Sequence, residues 1–190
     1  MDSIKLMMEE HQYILRMLAV VRSACYGILQ GKPIDYNDFD QIIDFIRNYG
    51  DAHHHGKEEK LLFHEMTEHL GALGDKLVTH GMLVEHDLGR LYVQELKEAL
   101  NRVVAGDDVS RLDVIANAVS YTSLLKRHIE KEDSVVYTFA RRQLPPEILD
   151  KVDRETTDFE KSARERGFQA HYQELVDKLE QKYIGQNQRY

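Results

Sequence analysis

Two spacings in this 190-residue chain pair an imidazole with a carboxylate, His54-x-x-x-Glu58 and His128-x-x-x-Glu132. On a helix, residues i and i+4 share one face, so each pair projects together. His11 and His86 stand in two other stretches that contain no strong helix breaker. Four imidazoles and two carboxylates make a nitrogen and oxygen donor set suited to iron or manganese. Six donors are too many for one tetrahedral zinc ion, and a zinc site built on two or more thiolates is excluded because Cys25 is the only cysteine. Carboxylates from opposite helices can bridge two ions, so the set reads as a di-metal centre with Glu58 and Glu132 as bridges. A ferritin-type centre would instead use Glu-x-x-His pairs and more carboxylates than imidazoles.

Long helices are needed to carry these donors. Proline occurs only at Pro33, Pro145 and Pro146, and the other punctuation is Gly31-Lys32-Pro33, Gly71 to Asp75, and Gly106-Asp107-Asp108. Four helices are predicted, at about residues 3–29, 37–69, 75–104 and 110–143. Each carries an apolar seam with spacings of three and four. The seam of the first runs Ile4, Met7, His11, Ile14, Leu18, and that of the fourth runs Tyr121, Leu125, His128, Glu132, Val135, Phe139. Short loops make an all-α, up-down-up-down four-helix bundle the natural packing. At about 1.5 Å per residue, all six donors then fall in one slab roughly 10 Å thick. Burying them unpaired would cost many kcal/mol, which a metal resolves.

The run His53-His54-His55 requires a choice. Steps of 4, 8 and 11 back from His54 meet Gly50, Ile46 and Ile43, whereas those from His55 meet Asp51, Arg47 and Asp44. A regular α-helix therefore turns His54 inward, with His55 and Glu59 outward. His64, His69 and His171 read as surface or packing residues, and His80, six residues before His86, falls on another face of the third helix. Gly50 and Gly89 lie on inward seams, where they either leave room for a small ligand or allow close helix packing. Tyr121 lies about 10 Å from His128 along the axis; it suits packing, a pocket wall or an electron donor. Cys25 belongs to the core.

Residues 1–144 form the predicted bundle, and residues 145–190 a C-terminal helical extension. Its stripe of Phe168, Tyr172, Leu175, Leu179 and Tyr183 would pack on the bundle or meet a second copy in a homodimer. Residues 185–190 are expected to fray. A formal net charge of -8 argues against a nucleic-acid partner. Neither a signal peptide nor a membrane span is expected from the sequence, and its single cysteine suits a cytoplasmic location.

At this level of detail the chain resembles the hemerythrin-like (HHE cation-binding) family. The likeness rests on Glu10-His11, His54-His55-Gly56-Lys57-Glu58-Glu59 with Leu62-Phe63, Glu85-His86-Asp87, and His128 to Glu132, and covers about residues 4–140. The resemblance implies His11, His54, Glu58, His86, His128 and Glu132 as ligands of a non-haem di-iron site, two Fe per chain. It also implies binding or sensing of O2, peroxide or NO, with a redox or signalling partner protein. The alternative is an enzyme reducing peroxide, O2 or NO, or an iron-handling ferroxidase. One departure is visible. Oxygen carriers of the family place two histidines one turn apart on the third helix, where this chain has Met82 and Arg90 beside His86. A site with one ligand fewer should be more open.

Overall fold

Residues 1–185 are described by the structure, a computed structural model whose regular elements, among those residues, are all helical. Six helices follow in order: α1 (Ser3–Leu29), α2 (36–69), α3 (71–104), α4 (111–143), α5 (Pro146–Glu165) and α6 (Phe168–Tyr183). The expectation of fraying at residues 186–190 lies outside the described residues.

Local chemistry sets the ends. The carboxylates of Asp2 and Asp35 cap α1 and α2, accepting from the backbone N–H of Lys5 at 2.9 Å and of Asp38 at 3.1 Å. The first helix stops at Gly31, whose φ of +83° lets the Lys32 N–H return to the Gly27 carbonyl. Leu144 is extended ahead of Pro145, as a residue before proline should be, and α5 begins at Pro146.

The third helix starts at Gly71 rather than near residue 75. Gly71 turns the chain by itself at a φ of +57°. Gly74 then lets the start of α3 cross the end of α2, because a Cβ there would stand 2.4 Å from the Met66 carbonyl oxygen. The glycines that suggested a loop thus serve a close crossing.

Two apolar clusters form the core, and the helices run between them. Along α1 the order is Ile4 and Met7, then His11, then Ile14 onward; along α3 it is Val78 and Met82, then His86, then Val93. Along α2 and α4 the order is reversed, from Tyr49 through His54 and Glu58 to Leu62, and from Ile129 through Glu132 to Val136. A buried polar layer therefore separates a larger apolar end from a smaller one.

The C-terminal stripe packs inward. Tyr172, Leu175, Val176 and Leu179 join the larger cluster, and Arg16 of α1 pairs with Asp177 and Glu180 at 2.6 Å. Cys25 is buried in the same cluster. No helix among the described residues is long and apolar enough to cross a membrane.

The long helices are not α-helical throughout. Phe45–His55 and Glu58–Leu62 of α2, Val78–Met82 of α3 and Glu132–Val136 of α4 are wound as π-helix. Three of these segments hold or begin at a predicted ligand, a frequent setting for π turns.

Candidate metal centre

The structure brings the six predicted donors together and adds a seventh. His11, His54, Glu58 and Glu132 offer ligand atoms within 4.8 Å of one another, and so do His55, His86 and His128. The carboxylates lie between the two groups. Glu132 places Oε2 3.3 Å from Nε2 of His11 and Oε1 3.0 Å from Nε2 of His128. Glu58 Oε2 lies 3.7 Å from Nε2 of His54 and 3.6 Å from Nε2 of His86.

His55 overturns the expected phase of the second helix. All three histidines of the run are buried, and the His55 ring stacks on that of His86 with centroids 3.8 Å apart. The cause is the π-helical winding. A hydrogen bond that skips five residues takes an extra residue per turn, so a register counted at 3.6 residues fails across Phe45–His55. The second helix thus sets an imidazole beside His86, where the third helix carries only Met82 and Arg90 one turn to either side.

Glu59 is corrected for a related reason. Rather than facing outward, it accepts from Nδ1 of His86 at 2.7 Å. The same device recurs on every side of the bundle. Nδ1 of His54 donates to Glu10 at 2.8 Å, that of His128 to Glu85 at 2.9 Å, and that of His11 to Asp133 at 2.8 Å. Each orienting carboxylate is the chain neighbour of a candidate ligand on the adjoining helix. His55 leans on Asp51 of its own helix at 3.4 Å. With Nδ1 engaged by a carboxylate, Nε2 is the nitrogen each ring presents to the centre, an arrangement metal-binding histidines commonly show.

Tyr137, which sequence reasoning left unassigned, completes the layer. Its ring stacks on His11 at 5.6 Å and its hydroxyl donates to Oε1 of Glu58. Arg90 ties Asp51 and Glu59 together at 2.7 and 2.6 Å, and so braces the supports of His55 and His86.

A cavity of about 300 Å³ reaches the rings of His55 and His86 past Ile46, Gly89, Val93 and Tyr121. A Cβ on Gly89 would meet Leu125 and Tyr121 only at ordinary distances of 3.5 and 3.7 Å, and one on Gly50 only the Tyr121 hydroxyl at 4.0 Å. Close helix packing demands neither glycine, and Tyr121 serves as a cavity wall. His64, His69, His80 and His171 are exposed.

What decides whether these residues fit a cation is the set of polar atoms left over. Nε2 of His11 and of His54, Oε2 of Glu58 and both oxygens of Glu132 are buried without an aligned hydrogen-bond partner. Buried polar groups are otherwise satisfied almost everywhere in proteins, and five orphans gathered in one place have the chemistry that could hold a cation. The family model of the Hemerythrin HHE cation binding domain matches residues 2–140.

The chain belongs to the hemerythrin HHE cation-binding family.

Its similar curated relatives are uncharacterized proteins of Mycobacterium tuberculosis and Mycobacterium bovis, 24% identical over 173 residues. The match takes in 91% of this chain, which spans 66% of the relatives' length. No solved structure matches it.

The electrostatics of this hemerythrin-like layer follow from burial and from who faces whom. Burial and the adjacent Glu132 push Glu58 up to about 8. Glu132, although equally buried, is held well below the usual carboxylate range by His128, His11 and His86. Burial works against charge on the rings too, yet Asp133 and Glu132 raise His11 to about 9, and Glu132 and Glu85 raise His128 to about 10. His54, buried beside His11, falls to about 4, and His55, buried against His86, falls well below its ordinary value.

These shifts have a consequence of definite sign. With protons as the only cations, Glu58, His11 and His128 hold theirs at pH 7, and a metal must displace them. Loading the protein anaerobically with ferrous ion in weakly buffered solution should release more than one proton per chain. Affinity should rise with pH toward 9 to 10, where His11 and His128 lose their protons unaided. Uptake without proton release would contradict the arrangement.

Proposed function

We propose that this chain is a hemerythrin-like four-helix bundle holding two non-haem irons, which binds or senses O2 or a related small ligand such as peroxide or NO. The observation that carries the reading is the cluster of orphaned donors, Nε2 of His11 and His54 with the free oxygens of Glu58 and Glu132, set against His55, His86 and His128. Seven donors exceed what one ion takes, and both carboxylates approach both groups, as bridges would. Thiolates are absent and the donors are imidazole and carboxylate, a set that suits iron or manganese, and the likeness to the hemerythrin family favours iron.

The two halves are unequal. Four donors gather on one side and three, His55, His86 and His128, on the other, and the cavity that ends on His55 and His86 gives a small exogenous ligand its way to the layer. Two irons would supply the electrons for taking up an oxidising ligand; the chain's residues hold the ligands in position and exclude water. A separate redox or signalling protein in the cytoplasm would pass on the electron or the signal.

A second reading, reduction of peroxide, O2 or NO, is favoured by Tyr137. Its phenol holds a proton against Oε1 of Glu58 inside the buried layer, where a reduced oxygen would need one.

Iron content after anaerobic loading tests the first reading and should approach two per chain, with a diferric spectrum that azide perturbs. A plateau at one iron, or indifference to azide, oxygen and peroxide with the centre intact, would overturn it. Counting equivalents separates the two readings: a sensor changes once, whereas an enzyme consumes many.

A further inference from the structure

Outside the ligand layer, the least ordinary buried group in the molecule is an ammonium. Lys57 is 1% exposed and stands next to Glu58 in the chain. Its Nζ donates to Oε1 of Glu10 and to Oε1 of Glu160, and lies 3.2 Å from Nε2 of His53. Glu10, His53 and Glu160 thus surround a cation as metal ligands would, and the cation is the protein's own. A lysine is seldom fully buried unless paired, and here two carboxylates are buried with it.

This cluster joins the C-terminal hairpin to the ligand layer. Glu160 sits on α5, and its second oxygen accepts from Nε2 of Gln169 on α6 at 2.6 Å. Glu10 sits on α1; its first oxygen serves Lys57 and its second accepts from Nδ1 of His54. His53 is packed between Phe159 and Phe168, one from each hairpin helix. The path from hairpin to ligand therefore runs Glu160, Lys57, Glu10, His54, entirely through buried polar contacts.

We propose that Glu160 is a positioning residue of the metal centre, acting through Lys57 and Glu10 on His54, so that the C-terminal hairpin is a working part of the site. The physical reason is competition for one carboxylate. Lys57 divides its charge between Glu160 and Glu10. If Glu160 is neutral, Glu10 alone must answer the ammonium and becomes a poorer acceptor for His54. An imidazole whose N–H is held less strongly is a weaker donor through its other nitrogen. Glu160 lies beyond residue 140, where the family match ends, and the 173-residue match to the mycobacterial relatives is too long to stop there.

The inference rests on the proposed iron centre, and the test separates the two. Glu160→Gln keeps the shape and removes the charge. Asp158→Asn removes an exposed charge from the same helix and serves as the control. In the iron-loaded full chain, Glu160→Gln should release iron to a chelator about tenfold faster than the control. Its midpoint potential should also rise, by about 59 mV if ferric retention falls tenfold relative to ferrous in a one-electron couple. Should Glu160→Gln fail to fold, Glu160→Asp keeps the charge but draws the carboxylate back from Lys57, and should shift both readouts the same way by less. A native protein that holds two irons, with variants matching the control in potential and release rate, would overturn the inference alone. A native protein that retains no iron would overturn it together with the functional reading.

Discussion

A His55→Ala variant should lose iron about as badly as His54→Ala, with affinity down by about 100-fold or more, since a direct ligand should matter at least as much as the outer partners, whose removal costs 10–100-fold. Regular helical phase would make His55 a bystander. The π-wound turn instead buries its ring against His86, in the half of the layer that holds His128. An exposed histidine of the next turns, His64, supplies the comparison. Iron content and optical spectrum measured side by side decide the matter: His55→Ala behaving like His64→Ala would mean that His55 only packs.

Stripping the metal should have the largest effect on stability. Five buried polar atoms are left without aligned partners, and the layer divides the apolar core, so the unliganded fold carries a desolvation cost that protons relieve only in part. Metal present at about 1,000 times its Kd stabilises by about 4 kcal/mol, and in a protein of this size that corresponds to roughly 10 °C in melting temperature. Calorimetry of the loaded and chelated protein measures the difference directly. Superimposed transitions would show that the layer does not depend on a cation.

The readable part of this site was the part that obeys α-helical arithmetic. His11, His86, His128 and Glu132 replace apolar residues in seams of threes and fours, and comparing their depths from loop to loop was enough to place them in one layer. His54 and Glu58 were found because four residues still return a π-wound helix close to the same face. His55 was lost because the extra residue per turn leaves no trace in a hydrophobic pattern, and the aspartate and arginine one and two turns behind it looked like a solvated face. Tyr137 was lost for another reason: a tyrosine at a buried position reads as packing until its hydroxyl is seen on Glu58. The orienting carboxylates did carry a signal. Glu10, Glu59, Glu85 and Asp133 each stand beside a ligand in the chain, and a residue beside an inward one looks sideways at the neighbouring helix. The helix starts were harder to read, because glycines at 71 and 74 have the composition of a loop and the function of a crossing.

Those four carboxylates form a directed circuit. A residue of α1 holds the ring on α2, one of α2 holds the ring on α3, one of α3 holds the ring on α4, and one of α4 holds the ring on α1. Interdigitated Leu, Ile and Val would pack almost as well if the four helices were arranged around the axis in the opposite sense, since apolar contacts have little directional preference. The circuit does not share that tolerance. In the mirror order Glu10 would face α4 and Glu85 would face α2, and His11, His54, His86 and His128 would each lose the partner that aims it, with only His55 keeping its own-helix Asp51. The chirality of the bundle is thus written into its polar layer, and a chain folded with the wrong hand would be unable to assemble the centre.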